Sequence, residues 1–182
     1  LALAFGAVVL GGLMGAIQFL PVMGYVDWSP LAGGAGWEHA ISYSFPPEEL
    51  LNTYLPQFSG ILQSYWGRNG IHFHSEYIGA AVLLLAGAAF GRLAGARRAF
   101  LWFWVGTLVV SLLWSLGGFT PFYSIVYAIV PGTEFFRAPS TMFYVTTFSV
   151  AVLAAIGTRR LLAGAIGRGY LIAWAALGTV VL

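Results

Sequence analysis

The chain has no cysteine and no lysine, and only 8% of its 182 residues are charged. The first absence excludes disulfides and thiolate metal sites. The second makes all eight basic residues arginine. The third excludes an ordinary soluble surface, because about a quarter of a soluble domain's residues carry charge. The chain is instead 59% hydrophobic and 16% aromatic, with mean hydropathy +0.84. Such a composition describes an integral membrane protein. No nucleophile elbow, P-loop, HExxH or dinucleotide fingerprint occurs, so we expect no organic cofactor. The polar segments carry no basic patch, which argues against nucleic acid as a partner.

What polarity there is falls in two intervals. Gly24 to Glu76 holds Asp27, Glu38, His39, Glu48, Glu49, Arg68, His72, His74 and Glu76, and Gly117 to Ser140 adds Glu134 and Arg137. Together they contain every acidic residue and every histidine. Between and around them lie five apolar segments, at about 1–26, 77–93, 100–116, 141–157 and 170–182. Each approaches the roughly 17–25 residues needed to cross a bilayer core. Backbone groups in lipid must be satisfied within a segment, so these are predicted as helices. The expected fold is all-α: one transmembrane domain over 1–182, a multi-pass helix bundle of about five spans, with outer loops 27–76 and 117–140. Both ends fall within apolar runs and no initiator Met is present, so we expect a piece of a longer protein.

Arg92, Arg97, Arg98, Arg159, Arg160 and Arg168 lie in the two other connections. The positive-inside rule makes those connections cytoplasmic and the first residue with them, and the two polar intervals external. The short connection 91–99 predicts that the second and third helices pack side by side. Gly11 with Gly15, and Gly87 with Gly91 and Gly95, suit close helix approach. Gln18 suits an interhelical hydrogen bond. Ser44 to Pro56 reads as a short helix, with Pro47 in its first turn and Glu48 and Glu49 at its positive end. A second short helix runs from Thr120-Pro121 to Pro131-Gly132 and is apolar all round, so it should be covered on most sides or dip part-way into the membrane. Trp28, Trp37, Tyr65 and Trp66 suit an interfacial belt.

Several residues can carry chemistry. In an extended segment His72, His74 and Glu76 share one face. They could form an acid/base pair or hold a divalent ion such as Zn²⁺, Mn²⁺ or Mg²⁺, with Glu76 as a ligand. The plainer alternative is a polar cap on the helix starting at Tyr77. Asp27 is a candidate general base at the membrane surface, or a solvated turn residue. Arg137 stands just before Pro139-Ser140, where a helix begins; a guanidinium beside free helix N–H groups can grip a phosphate. The alternative is an ion pair with Glu134. Arg68 can bind phosphate or sugar, or simply occupy the turn Arg68-Asn69-Gly70. Tyr65 and Trp66 can stack on a sugar ring.

At these motifs the sequence resembles the YfhO family of bacterial multi-pass membrane proteins. The resemblance rests on Ser44-Phe-Pro-Pro-Glu-Glu-Leu-Leu, on Tyr65-Trp66-Gly67 followed by Glu76-Tyr77-Ile78-Gly79, on Gly117-Gly118-Phe119-Thr120-Pro121, and on Phe136-Arg137-Ala138-Pro139-Ser140. It covers most of residues 15–160 and implies a GT-C-type glycosyltransferase. Such an enzyme takes a sugar from a polyprenyl-phosphate donor within the membrane and passes it to an acceptor at the outer face. The expected catalytic residues here are His72, His74 and Asp27. Arg137, Arg68, Glu134, Tyr65 and Trp66 would bind substrate. GT-C enzymes usually place an acidic catalytic residue in the first outer loop, which would lie upstream of this chain. The same scaffold also suits a non-catalytic membrane subunit that binds other subunits or the rest of its own chain. It suits a lipid-linked-sugar transporter less well, since the spans lack central ionisable residues.

Overall fold

The computed structural model describes residues 2–26, 28–29, 32–69, 76–91 and 95–179. Their regular structure is all helix, without strands among the described residues. In chain order the α-helices are α1 (Ala2–Val26), α2 (Gly36–Ala40), α3 (Ala80–Gly87), α4 (Ala96–Ser115), α5 (Phe122–Ile129), α6 (Phe143–Leu162) and α7 (Arg168–Thr179). Short 3₁₀ turns at Pro47–Thr53, Leu62–Ser64, Gly117–Phe119, Thr133–Phe135 and Pro139–Met142 link them. Three helical stretches, Ala2–Val26, Arg97–Ser115 and Pro139–Leu162, are long and apolar enough to cross a membrane. The predicted spans 77–93 and 170–182 correspond to the shorter α3 and α7. At 1.5 Å per residue these are about 12 Å and 18 Å long, against roughly 30 Å for a bilayer core.

The packing centre is α6. Its buried residues Phe143, Thr146, Val150, Leu153 and Gly157 recur every three or four positions, and Ser149 and Ala154 widen the stripe. That is the spacing of one helical face. α4 lies along this face antiparallel. Ser111 meets Thr146 through a 2.9 Å hydroxyl hydrogen bond, Trp104 meets Phe148 edge-on at 5.4 Å, and Leu101 shares a buried cluster with Leu153. α3 approaches the C-terminal half of α6, where Gly157 faces the backbone of Leu85 and Ala89; a Cβ at Gly157 would stand 2.8 Å from the Leu85 carbonyl carbon. Thus α3 and α4 each pack chiefly on α6 rather than on each other, which corrects the side-by-side expectation. Gly157 admits α3 so closely that α6, not the short connection, decides its neighbour.

α7 runs back along the assembly. Its Tyr170 hydroxyl donates to the Leu84 carbonyl (2.6 Å), and near its other end the Leu177 carbonyl accepts from Tyr54 (2.6 Å). The helices therefore have two distinct ends. One carries Arg97, Arg98, Arg159, Arg160 and Arg168. The other carries α2, α5 and the turns that hold Glu48, Glu49 and Glu134. No residue of α1 is buried, and Gln18 is exposed, without the expected interhelical bond among the described residues. In α5 only Tyr123 and Val126 are buried, while Ile125 and Ile129 are exposed. The protein itself covers the helix on one face, and the apolar face it leaves bare suits the alternative of dipping into the membrane.

Candidate functional site

At the acid-bearing end the chain 32–46 is held by aromatic packing. Trp37 meets Tyr127 edge-on at 5.3 Å and Tyr123 at 5.9 Å and packs against the buried cluster of Ala40, Tyr123 and Val126. The backbone then turns at Tyr43, whose φ of 59° is left-handed. Ser44 donates to the Ile41 carbonyl (2.5 Å) and accepts from the Gly118 N–H (2.9 Å). Phe45 is fully buried. It stacks on Phe143 at 4.9 Å, and its N–H donates to the Ser115 carbonyl (2.9 Å). Ala138, also left-handed at φ 60°, donates its N–H to the Ser42 carbonyl (2.9 Å). Gly117 sits where these strands of chain cross: a Cβ there would overlap Ser44 Oγ and stand 2.9 Å from Pro139 Cγ. Two non-glycine residues held left-handed mark strain of the kind that clusters at binding sites.

The Pro47–Thr53 turn adds a second layer. Glu49, expected at a helix N-terminus in solvent, is fully buried. Its Oε1 accepts from the Tyr65 hydroxyl, and Tyr65 in turn accepts from the Asn69 N–H (2.7 Å). Gly67 packs where any Cβ would overlap both Glu49 and Tyr65. Asn52 donates to Ser59 Oγ (2.7 Å) and accepts from the Ser59 N–H (3.0 Å). Glu76 is buried close by. Burial chiefly, then the hydrogen bond to Glu49 and the charges of Glu49 and Glu76, push the Tyr65 hydroxyl well above its ordinary range. It stays protonated, and its bond to Glu49 braces the turn. Trp66 donates to the Phe58 carbonyl (3.2 Å) and meets the Phe58 ring edge-on.

These layers enclose a cavity of about 340 Å³ lined by Ile41, Tyr43, Ser44, Arg68, Gly118 and Phe119. Arg68 lies over the Phe119 ring, 4.6 Å from its centroid. It pairs with Glu48 through two bonds, Nε to Oε1 at 2.6 Å and Nη2 to Oε2 at 2.8 Å. The hydrogen bond from Arg68 lowers the Glu48 pKa below 4.5, and the same bond raises that of Arg68. Arg137 stands over the Tyr43 ring, 5.4 Å from its centroid, so Tyr43, which lines the cavity beside Arg68, also packs against Arg137. Arg137 also lines a second cavity of about 290 Å³ walled by Trp114, Tyr123, Val130, Phe136, Pro139 and Met142, among others.

Among the described residues Arg137 has no ion pair, and the pairing with Glu134 does not form. Glu134 instead lies against Gly34, and its carbonyl accepts from the Ala35 N–H (3.1 Å). The helix start beside Arg137 is a 3₁₀ turn in which Ser140 is buried and the Thr141 N–H is bonded to the Ala138 carbonyl. The accessible donors there belong to the guanidinium and not to the helix terminus. Arg68 and Arg137 therefore line two separate cavities and are linked only through Tyr43, while Tyr65 and Glu76 belong to the adjoining buried layer. Asp27, His72 and His74 lie outside the described residues, as does any cluster they would complete with Glu76. Tyr43 and Phe119 were not singled out from sequence. Tyr43 gives no local signal; Phe119 lies in the Gly117–Pro121 motif.

The four motifs behind the family resemblance, far apart in sequence, thus converge on one end of the molecule. No protein-family model matches the chain, and neither a curated protein nor a solved structure is similar to it.

Proposed function

We propose that the chain is a glycosyltransferase-like protein of the bacterial inner membrane, crossing it about five times. It transfers a sugar from a polyprenyl-phosphate donor to an acceptor at the outer face. The observation that supports this reading is a pair of cavities, one lined by Arg68, Tyr43 and Phe119 and the other by Arg137, joined through the contact of Arg137 with the Tyr43 ring. Guanidiniums bind a phosphate bidentately, and aromatic faces suit a sugar ring. Arg137, without a carboxylate partner among the described residues, takes the phosphate. Arg68, shared with Glu48, assists by exchanging its partner as charge builds on the leaving group. Glu134, Tyr65 and Trp66 support the pocket. Asp27, His72 or His74 takes the acceptor's hydroxyl proton, and Glu76 with the histidines is the place for a divalent ion, if the transfer uses one.

In this reading α3 and α7 belong to longer spans. The chain lacks cysteine, so single cysteines placed at Glu48 and at Arg97 report sidedness without background; labelling from the same side would refute the topology. The function is tested by Arg137→Ala, Arg68→Ala, His72→Ala and His74→Ala, assayed for sugar transfer from a polyprenyl-phosphate donor. Arg137→Ala should lower the rate about a hundredfold, as loss of a charged transition-state donor does. Unchanged transfer in all four would leave the alternative, a non-catalytic membrane subunit.

A further inference from the structure

We propose that the end opposite the candidate site is a docking surface for anionic phospholipid headgroups. Antiparallel packing of α4 on α6, and the return of α7 from Leu84 towards Tyr54, gather five arginines there. One of them is committed inward: Arg160 donates to the carbonyls of Ala89 (3.5 Å) and Ala165 (3.2 Å). The other four, Arg97, Arg98, Arg159 and Arg168, are exposed, and none forms an ion pair among the described residues. Nothing in the neighbouring sequence can neutralise them, since residues 77–133 and 135–182 contain no Asp or Glu. The partner must therefore bring the negative charge.

The surroundings favour a lipid over an acidic protein. Within about one helical turn of these guanidiniums, Phe100, Trp102, Phe103 and Leu162 are each more than half exposed. A collar of guanidiniums bordering an outward apolar band matches the change from headgroup to acyl chain at a membrane surface. Arginine also offers the planar double donor that a phosphodiester accepts.

The test uses the purified full chain in neutral detergent and native mass spectrometry. It compares retention of phosphatidylglycerol with that of phosphatidylcholine carrying the same acyl chains. Phosphatidylglycerol should bind several hundredfold more tightly, about fivefold for each of the four exposed arginines, and the preference should shrink as NaCl rises from about 0.05 to 0.5 M. The variant R97Q/R98Q should then lose roughly twentyfold, and R97Q/R98Q/R159Q/R168Q should lose the preference altogether. The matching Arg→Lys variant should keep most of it. A thermal melt checks folding, and the double variant carries the test if the quadruple one melts early. Equal binding of the two lipids, or an undiminished preference in R97Q/R98Q, overturns the proposal. So does displacement of phosphatidylglycerol by polyglutamate at equal charge concentration, which would point to an acidic protein instead. Sugar transfer is no part of the readout, so the result is independent of the catalytic reading.

Discussion

Gly117→Ala tests whether the convergence of motifs at the candidate site is real. At φ +51° an alanine pays the left-handed penalty of about 1–2 kcal/mol. Its Cβ would also overlap Ser44 Oγ and stand 2.8 Å from Ser44 Cβ and 2.9 Å from Pro139 Cγ. Crowding of this kind adds about 1–3 kcal/mol, for a total of roughly 2–5 kcal/mol. Gly132→Ala is the control, because its φ of +86° carries the conformational penalty while nothing lies within 4 Å of the new methyl. Unfolding in mixed SDS micelles, followed by tryptophan fluorescence, should therefore separate the two variants by about 1–3 kcal/mol. Ser44→Gly removes two of the three crowding atoms, so in the Gly117→Ala background it should recover part of the loss instead of adding to it. Equal costs for Gly117→Ala and Gly132→Ala, or a purely additive double variant, would refute the crossing of chain segments at this glycine.

Phe45→Ala should destabilise by about 3–5 kcal/mol in the same assay, because the ring is fully buried against Phe143; a loss under 1 kcal/mol would mean that the Ser44–Pro46 segment is not docked there. Ser111→Ala or Thr146→Val should each cost about 0.6–1.7 kcal/mol, the range for hydroxyl bonds between membrane helices, and the pair should couple in a double-mutant cycle. Glu48 should titrate below 4.5, since its folded pKa is lowered by Arg68. Its small, salt-sensitive contribution is present above pH 4.5 and lost as pH falls through the depressed folded value. Side-chain carbon NMR of Glu48 reads this directly, and Arg68→Gln should return the titration to the ordinary range.

Much of the fold was legible because the bilayer leaves few options. A chain this poor in charge, with long apolar runs, can satisfy its backbone in lipid only as helix. The collection of arginines at one end followed from where the apolar runs stop. Other features depend on tertiary packing that local pattern does not encode. Glu48 and Glu49 look equivalent in sequence, yet the Pro47–Thr53 turn points Glu48 at Arg68 and buries Glu49 against Tyr65. Nothing in the spacing separates them. Arg137 was recognisable as a cation against the topological trend, but its contact with Tyr43 needs a left-handed tyrosine that no sequence signal announces. The pairing of α3 with α6 turns on one glycine, Gly157, among many that look alike.

The same antiparallel register explains why site and arginine collar occupy opposite ends. Moving along α4 from Ser111 to Trp104 to Leu101 is matched by moving along α6 from Thr146 to Phe148 to Leu153. Continuing that march brings Arg97 and Arg98 level with Arg159 and Arg160. In the other direction, the C-terminal end of α4 meets the segment leading into α6: the Ser115 carbonyl accepts from Phe45, and Phe45 stacks on Phe143. A slip of one helical turn between α4 and α6 would break the Ser111–Thr146 bond. It would also shift Gly117 relative to Pro139, and the cavities lined by Arg68 and by Arg137 would lose their shape. The interior hydroxyl pair and the two cavities at the acid-bearing end are therefore coupled through a rigid helix about 30 Å long. A substitution at Ser111, far from any charge, should disturb those cavities before it disturbs the arginine end, because Ser111 lies within two turns of Gly117 and more than three turns from Arg98.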